Sequence, residues 1–227
     1  MSTADARLPI VVLISGRGSN LQAIAERAAA GELPVEIRAV VSDQPEAGGL
    51  AWSAARGLRT AVLQPKQFAN RADYGRALAG LVDSFGPRLV VLAGFMRILD
   101  DTFVDRYAGR LMNIHPSLLP RHRGLHTHRR ALEAGEREHG ASVHFVTREL
   151  DGGPVVLQAW VPVLPGDDEE TLAARVLAQE HRIYPECIDW YATGRLRHHD
   201  GAAWLDGRRL ESPVILDTRP GDVAITA

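Results

Sequence analysis

Three short segments of the chain are almost continuously apolar. They span residues 8–15, 35–42 and 87–94, and they are rich in valine, isoleucine and leucine. Continuous apolarity over so few residues is typical of strands that are buried on both faces, as in a parallel sheet. The pattern therefore predicts three central strands of one sheet in the first half of the chain.

Helical periodicity occupies the segments between these strands. The patterns SNLQAIAERAAAG, EAGGLAWSAARG and ADYGRALAGLVDSFG end at Gly31, Gly57 and Gly86. Glycine can adopt the left-handed conformation that closes a helix. Alternating strands and helices predict an α/β fold with a Rossmann-like, mostly parallel sheet flanked by helices. In such a fold the ligands bind at the carboxyl ends of the strands.

The second half of the chain has a less regular pattern. GRLMNIHP predicts a strand, HTHRRALEAGE a short helix, and HGASVHFVTREL with GPVVLQAWVPV two antiparallel strands. DEETLAARVLAQEHRIYPECIDWYATG predicts a long amphipathic helix, bent near Pro185. A small hairpin is expected to turn at Asp200 and Gly201.

The organisation of the chain is predicted to be one compact unit with two subdomains. The first covers residues 8–109 and the second residues 110–210, and no linker rich in glycine, serine or proline separates them. Residues 211–227 lack a clear periodicity, which predicts a loosely attached tail.

Composition and charge narrow the classes of function. The chain has 227 residues, of which 45% are hydrophobic and 24% charged, and this is enough to bury a large core. A net charge of -2 gives no general field for nucleic acid or anionic lipid, so an anion site must be local.

Cys187 is the single cysteine, which excludes an intramolecular disulfide and indicates a reducing compartment. No apolar stretch is long enough to span a bilayer, and the early apolar run is too short and too late for a signal peptide. We expect a cytoplasmic protein.

A glycine-rich turn follows the first predicted strand. ISGRGSNLQAI places Gly16, Gly18, Ser19 and Asn20 where the strand becomes a helix. Backbone N–H groups at a helix N-terminus bind phosphate, and the Ser19 hydroxyl adds a donor. Leu21 occupies the last glycine position of the dinucleotide fingerprint, which favours a monophosphate over a pyrophosphate. The structural alternative is a tight turn in which Ser19 or Asn20 caps the helix.

A second candidate site combines an amide, an imidazole and a carboxylate. Asn113 and His115 lie two residues apart in MNIHPSLLP, so on a strand they point to the same side. An amide can donate to a developing oxyanion, and a histidine can donate or carry a proton. Asp151, in the glycine-flanked turn ELDGGP, is a candidate to orient the imidazole. The pattern suits acyl chemistry in which the substrate supplies the nucleophile. The alternative is hydrogen bonding at a strand end and an ordinary turn aspartate.

Several other side chains are candidates for metal binding or for packing. His126 and His128 are spaced as zinc ligands on a loop, but neither a nearby cysteine nor a metalloprotease motif accompanies them, and we expect no metal site. His139 and His144 lie in a strand pattern, which favours core or supporting roles. Met96 follows a strand and is suited either to a flat ligand or to the core.

Several motifs together resemble the phosphoribosylglycinamide formyltransferase family. They are VVLISGRGSNLQAI, VVLAGFMRIL, NIHPSLLP, GLHTHRRALEAGEREHGASVHFV, ELDGGPVVLQ and AQEHRIYP, in order between about residues 10 and 210. The resemblance implies the formyltransferase fold, in which the N-terminal half binds the phosphoribosyl amine and the C-terminal half completes a folate cleft and carries the catalytic groups. It implies transfer of a formyl group from 10-formyltetrahydrofolate, as cosubstrate, to the amine of 5-phosphoribosylglycinamide in purine biosynthesis.

The resemblance also implies a role for individual residues. Those implied to bind the phosphoribosyl substrate are Gly18, Ser19, Asn20, Gln179 and Glu180. Those implied to bind the folate are Arg71 at its glutamate tail and Met96, Arg97, Ile98, Leu99, Asn113, Leu150 and Asp151 around its pterin. The implied catalytic trio is Asn113, His115 and Asp151, in which Asp151 favours the protonated imidazole.

The chain departs from the family pattern mainly in one loop. Arg121, His122 and Arg123 stand where a basic residue, an aromatic residue and a proline are expected, which predicts a more basic and more mobile loop over the cleft. Glu136 stands where aspartate is commoner. Neither departure falls on the trio.

The rival functions make different demands on the chain. A methionyl-tRNA formyltransferase would need an additional RNA-binding domain, and a formyltetrahydrofolate hydrolase an additional N-terminal domain, for neither of which we see a pattern. A nucleotide-binding oxidoreductase would need the missing third glycine of the turn. We expect small-molecule partners, without nucleic acid or membrane, and a monomer or homodimer.

Overall fold

The computed structural model describes residues 7–217 and 224–226 of the chain. The strands are β1 (Leu8–Ile14), β2 (Val35–Ser42), β3 (Thr60–Val62), β4 (Leu89–Leu92), β5 (Leu111–His115), β6 (Glu138–Phe145), β7 (Val155–Pro162), β8 (Leu196–His199), β9 (Ala202–Leu205), β10 (Arg208–Arg209), β11 (Val214–Asp217) and β12 (Ala224–Thr226). The helices are α1 (Ser19–Ala29), α2 (Gly48–Ala54), α3 (Arg71–Asp83), α4 (Asp101–Arg106), α5 (Thr127–Glu133) and α6 (Glu169–Ala192), with a short 3-10 turn at Pro65–Gln67.

Within the described residues, the main sheet has nine strands in the order β12-β11-β7-β6-β5-β4-β1-β2-β3. The neighbouring strands β5, β4, β1, β2 and β3 pair in parallel. The neighbouring strands β5, β6 and β7 pair antiparallel. The three continuously apolar segments are β1, β2 and β4, which are neighbours in this sheet. The predicted mostly parallel sheet with antiparallel strands in the second half is therefore confirmed.

The order of the strands creates a crevice at one edge of the sheet. From β1 the chain moves to β2 and β3 on one side and then returns to β4 and β5 on the other. Connections leaving the carboxyl ends of β1 and β4 diverge, and such a switch point is where open α/β sheets bind ligands. The glycine turn follows β1, the segment 93–99 follows β4, and His115 ends β5, so all three reach the same edge.

Helices cover both faces of the sheet. Along β1, Ile10 and Val12 belong to one buried cluster and Val11 and Leu13 to the other, as expected for alternating side chains of a strand. The first cluster includes apolar residues of α1 and α6, and the second those of α3 and α4. Burial on both faces explains why the central strands lack an alternating pattern.

The long predicted helix is α6, which begins with a capping box at Asp168 and Thr171. It is continuous across Pro185, and the bend expected there stays a prediction. The hairpin between β8 and β9 turns at Asp200 and Gly201, whose φ values of 52° and 71° suit a tight two-residue turn.

Part of the expected tail belongs to the sheet. The prediction of a loosely attached tail over 211–227 is wrong for residues 214–217, because β11 pairs in parallel with β7 and buries Val214 and Leu216. A pattern of four residues is too short to identify a strand whose partner strand lies more than fifty positions earlier in the sequence. Residues 218–223 and 227 lie outside the described part of the chain. Sequence patterns also missed the short elements β3 and α4.

Candidate active site

The end of β5 carries the predicted amide and imidazole. In the antiparallel pair of β5 with β6, Asn113 lies opposite His144 and His115 lies opposite Ser142. Opposed residues of two strands have neighbouring side chains. The pairing therefore brings a second histidine, His144, directly to the side chain of Asn113.

His144 fixes the orientation of the Asn113 carboxamide. Its Nδ1 lies 3.0 Å from the Phe145 carbonyl oxygen, and since a carbonyl only accepts, Nδ1 carries the proton. In the neutral ring Nε2 is then an acceptor, and the Asn113 amide Nδ2 donates to it over 3.2 Å. Burial lowers the pKa of His144 to about 4, so the ring is neutral near pH 7. One N–H of Asn113 is thereby held, and the other stays available to a ligand.

Asp151 lies beside both histidines. Its carboxylate is 3.5 Å from Nδ1 of His115 and 3.7 Å from Nε2 of His144. The backbone N–H of Gly124 donates to Asp151 over 2.9 Å. The side chains of His115 and Asp151 are only 8% and 9% exposed, which strengthens their electrostatic interaction. The structure brings the three predicted residues together in one group.

The other nitrogen of His115 contacts the loop that follows β5. Nε2 donates to the carbonyl oxygen of His122 over 3.0 Å, because a carbonyl has no hydrogen to give. The ring thus has an acceptor on each side, His122 at Nε2 and Asp151 at Nδ1. A protonated ring satisfies both contacts at once. In this conformation Nε2 reaches a ligand only by exchanging its hydrogen bond with the loop.

A cavity of about 520 Å³ opens beside this group. Asn113, His115 and Asp151 form part of its wall. Four apolar side chains that line the cavity are strongly exposed. They are Met96 (66%), Ile98 (61%), Leu125 (68%) and Leu150 (50%). Exposed apolar side chains around a concave surface, with a few convergent polar groups, are typical of a ligand site.

The predicted folate residues line this cavity and two that adjoin it. Arg97 and Ile98 are shared by all three cavities, and Met96 by two of them. Leu99 lines the smaller neighbour of about 120 Å³, together with Asn113, His144 and Asp151. Arg71 lines a third of about 550 Å³, which shares Met96, Arg97 and Ile98 with the cavity beside the trio.

Hydrogen bonds hold the segment after β4 against β1. The backbone N–H of Ser15 donates to the Gly94 carbonyl over 2.9 Å, and the N–H of Met96 donates to the Ser15 hydroxyl over 2.8 Å. Arg97 donates from Nε to the buried carboxylate of Asp43 over 2.7 Å. Sequence analysis missed Asp43, although an acidic residue directly after the second apolar strand was a usable signal.

The glycine turn leads directly into α1. Gly18 adopts φ 73° immediately before α1, and neither Ser19 nor Asn20 provides a side-chain cap. The capping alternative is therefore wrong. Gly49 was missed: its N–H donates to the Gly16 carbonyl over 3.0 Å, and a Cβ there would lie 2.5 Å from Ile14. Close packing of two helix N-termini thus fixes the turn.

Asn20 and Glu180 meet under this turn. The Asn20 amide donates to the Glu180 carboxylate over 2.6 Å, and both residues are buried. Burial raises the pKa of Glu180, and the hydrogen bond from Asn20 opposes that shift. Gln179 does not join them, since its side-chain oxygen accepts from Arg182 over 2.9 Å. The structure brings together Asn20, which was predicted at the phosphate, and Glu180, which was predicted at the ribose, and it leaves Gln179 outside the pair.

The histidines weighed for zinc are arranged for other contacts. His126 precedes α5 with φ 59°, whereas Nδ1 of His128 lies 3.1 Å from Nε2 of His139. Among the described residues there is no group of three or more histidine, cysteine or acidic side chains that would hold a metal ion. None of the helices in that part of the chain combines the length and apolarity needed to cross a bilayer.

The unusual loop residues are paired with carboxylates. Nε2 of His122 lies 2.9 Å from Oε1 of Glu136, and Arg121 lies 3.7 Å from the other oxygen of the same carboxylate. Arg123 contacts Glu149. The extra basic side chains therefore face acidic ones, while the predicted mobility of the loop stays a prediction.

Comparisons with known proteins agree on one family. The family model described as formyl transferase matches residues 8–188. The phosphoribosylglycinamide formyltransferase of Escherichia coli is 57% identical over 201 residues, which are 88% of this chain and 95% of that protein. The enzyme of the same name from Haemophilus influenzae is 46% identical over the same shares. A solved phosphoribosylglycinamide formyltransferase structure from Coxiella burnetii superposes with a TM-score of 0.86 at 50% identity, covering 90% of this chain and 96% of that one.

Proposed function

The chain belongs to the formyl transferase family, and from this premise we propose that it transfers a formyl group from 10-formyltetrahydrofolate to the amine of 5-phosphoribosylglycinamide. The reaction is a step of de novo purine biosynthesis, and both partners are small molecules. The observation that carries the proposal is the group of Asn113, His115 and Asp151 in the wall of an apolar cavity. It lies at the same sheet edge as the glycine turn that follows β1.

The group is suited to stabilise negative charge on a transferring carbonyl. The glycinamide amine attacks the formyl carbon, a C–N bond forms, and the carbonyl oxygen becomes an oxyanion. The free N–H of Asn113 donates to this oxygen, and protonated His115 adds a second donor after exchanging its bond with the loop. When the bond from carbon to the folate nitrogen breaks, the carbonyl reforms and the amine proton passes to that nitrogen.

Asp151 orients the ring of His115. Its carboxylate lies 3.5 Å from Nδ1 of that ring. The neutral state of His144 is equally needed, because a protonated Nε2 would turn from acceptor to donor and release the Asn113 amide. One histidine of the site is therefore kept neutral by burial while the other is held between two acceptors. The formyl group is already activated, so we propose no role for a metal.

The two substrates are held at opposite ends of the crevice. The N–H groups at the start of α1, with Ser19 and Asn20, bind the phosphate, and Glu180 bonds the ribose. The pterin lies among Met96, Ile98 and Leu150, and Arg71 faces the glutamate tail. Holding two reactants in alignment replaces a bimolecular encounter by a step within one complex, which accounts for much of the rate in such reactions. The cytoplasmic location and the monomer or homodimer state stay predictions.

The test is a direct assay of formyl transfer. Protein, phosphoribosylglycinamide and 10-formyltetrahydrofolate are mixed, and tetrahydrofolate is followed by absorbance while free formate is quantified in parallel. We expect tetrahydrofolate to form in step with the formylated amine, and His115→Ala to be slower by roughly 100-fold or more. His199→Ala, in the exposed hairpin, is the control and should keep the wild-type rate.

Two results would overturn the proposal. Release of formate in place of the formylated amine would identify a hydrolase of the same fold. No consumption of the formylfolate by the folded protein would remove the activity altogether.

A further inference from the structure

His122 and Glu136 form a contact that the proposed reaction does not use directly. Nε2 of His122 lies 2.9 Å from Oε1 of Glu136, and since a carboxylate accepts, the ring nitrogen donates. Both side chains are largely buried, at 11% and 20% exposure.

The backbone of His122 is the point of contact with His115. Its carbonyl oxygen accepts the Nε2–H of His115 over 3.0 Å. The side chain and the carbonyl of one residue therefore connect Glu136, at the entry to β6, with the imidazole at the end of β5. The contact keeps a proton on Nε2 of the His115 ring, while Nδ1 faces Asp151.

The contact accompanies an uncommon backbone conformation at His122. Its φ of 52° is in the left-handed region, which is uncommon for a residue with a Cβ. The Ser117 hydroxyl holds the preceding carbonyl, of Arg121, over 2.7 Å, but it does not reach His122 itself. Glu136 is the partner that the His122 side chain contacts by a hydrogen bond.

We infer that His122 and Glu136 are positioning residues, which hold the His122 carbonyl where it selects the proton position and aim of the His115 ring. This inference rests on the proposed function of His115 and names a further determinant of the same site. Neither residue touches a substrate; each acts through the carbonyl that accepts from His115. The charged and titratable groups facing His122 are Glu136, the Arg121 beside it, and the ring of His139 at 6.1 Å.

Two substitutions at position 122 distinguish the hydrogen bond of the side chain with Glu136 from the tolerance of the residue for a left-handed backbone. His122→Asn tolerates the left-handed backbone well, but its amide is too short to reach Glu136. His122→Gln is less suited to the left-handed backbone, yet its amide nitrogen extends from Cα about as far as the histidine Nε2. A role confined to backbone conformation favours Asn, whereas a positioning role favours Gln.

The positioning role predicts opposite kinetic outcomes for the pair. We expect kcat of His122→Asn to fall about tenfold, less than for loss of a catalytic donor, with KM for either substrate changed by less than about twofold. His122→Gln should stay within about twofold of wild type. Glu136→Ala should match His122→Asn, and the double variant should be no slower, because both changes break one contact. Asp206→Asn, which breaks the exposed pair with Arg195, is the matched control and should leave kcat unchanged.

A spectroscopic measurement tests the same claim without the reaction. Nitrogen-15 chemical shifts of labelled histidines report which ring nitrogen carries the proton, and His115→Gln identifies the His115 signals. For the neutral ring of His115, we expect the Nε2–H form in wild type and His122→Gln. In His122→Asn the population should move toward Nδ1–H, which then donates to Asp151.

An unchanged His115 tautomer in His122→Asn, or a greater loss of kcat in His122→Gln than in His122→Asn, would overturn the inference. Failure of the proposed function is a separate result. If the wild-type protein transfers no formyl group, the histidine shifts still decide whether His122 positions His115. Circular dichroism melts of each variant establish that the compared proteins are folded.

Discussion

Acidification should weaken the folded state through the buried ring of His144. The ring is buried between Asn113, Asp151 and the Phe145 carbonyl, and burial lowers its pKa from 6.5 to about 4. In the unfolded chain the ring takes up a proton near pH 6.5, whereas in the folded protein it stays neutral down to about pH 4. The unfolded state thus binds more protons as the pH falls, so stability is lost over this window.

The size of the effect follows from the two pKa values. At pH 7 the unfolded ring is mostly neutral, and the two states differ little in bound protons. At pH 5 the unfolded ring is charged and the folded ring is not, which costs about 2 kcal/mol of folding free energy relative to pH 7. A typical domain has only roughly 5–15 kcal/mol of stability in total, so the loss is measurable.

Urea unfolding at pH 7, 6 and 5 measures this loss. The comparison is between wild type and His144→Gln, which keeps a hydrogen-bonding side chain but has no titrating ring. Buried His139, whose pKa is also lowered by burial, remains in both proteins and cancels from the difference. Glu180 acts in the opposite sense, since burial raises its pKa and protonation in acid relieves its cost, but it too is common to both. Asp167, with a pKa of about 2, titrates below the window.

We expect wild type to lose about 2 kcal/mol more than His144→Gln between pH 7 and pH 5. The absolute stability of the variant is not the test, because the substitution also alters packing. Equal losses in the two proteins would refute the reasoning that His144 is held neutral by burial. His199→Gln, in the exposed hairpin, should behave as wild type.

Three further predictions concern the proposed substrates. Asp151→Asn should lower kcat by about 100-fold or more while KM for each substrate changes little, because the substitution removes the negative charge beside His115 but leaves the substrate-binding residues in place. Steady-state kinetics measure both constants, and full activity would remove Asp151 from the trio. Gly18→Ala should raise KM for the phosphorylated amine with a smaller change in kcat, since a Cβ at φ 73° would lie 3.3 Å from Gly49; an unchanged KM would leave the turn with a structural role only. Arg71→Met should raise KM for the formylfolate several-fold, and less so at high salt, which screens charge interactions; equal KM values would place the glutamate tail elsewhere.

The central sheet was predictable because its signals are local. Continuous apolarity marked β1, β2 and β4, and the glycines that end the first three helical patterns do adopt positive φ, with 76° at Gly31 and 72° at Gly57. A strand that is buried on both faces of the sheet is continuously apolar, and this pattern is visible within a few residues of sequence. The short strand β11 was missed because its four residues show no strand pattern of their own, and only their pairing with β7 identifies them as a strand.

The candidate site was predictable only in part. Asn113 and His115 were found because two residues of one strand share a side, and Asp151 because a carboxylate in a glycine-flanked turn is conspicuous. His144 was predicted to have a core or supporting role, but its contact with Asn113 was not predicted, since that contact depends on the register that sets the two residues opposite each other. The contact between His122 and Glu136 depends likewise on how a loop folds back, which no local pattern encodes.

The most direct test of the oxyanion account is the single-turnover rate of formyl transfer by Asn113→Ala with both substrates saturating. Saturation removes differences in binding, so the rate reports the chemical step. Loss of one oxyanion donor should slow this step on the order of 100- to 1000-fold. A rate within about tenfold of wild type would contradict the claim that the Asn113 amide stabilises the charge that develops on the formyl oxygen.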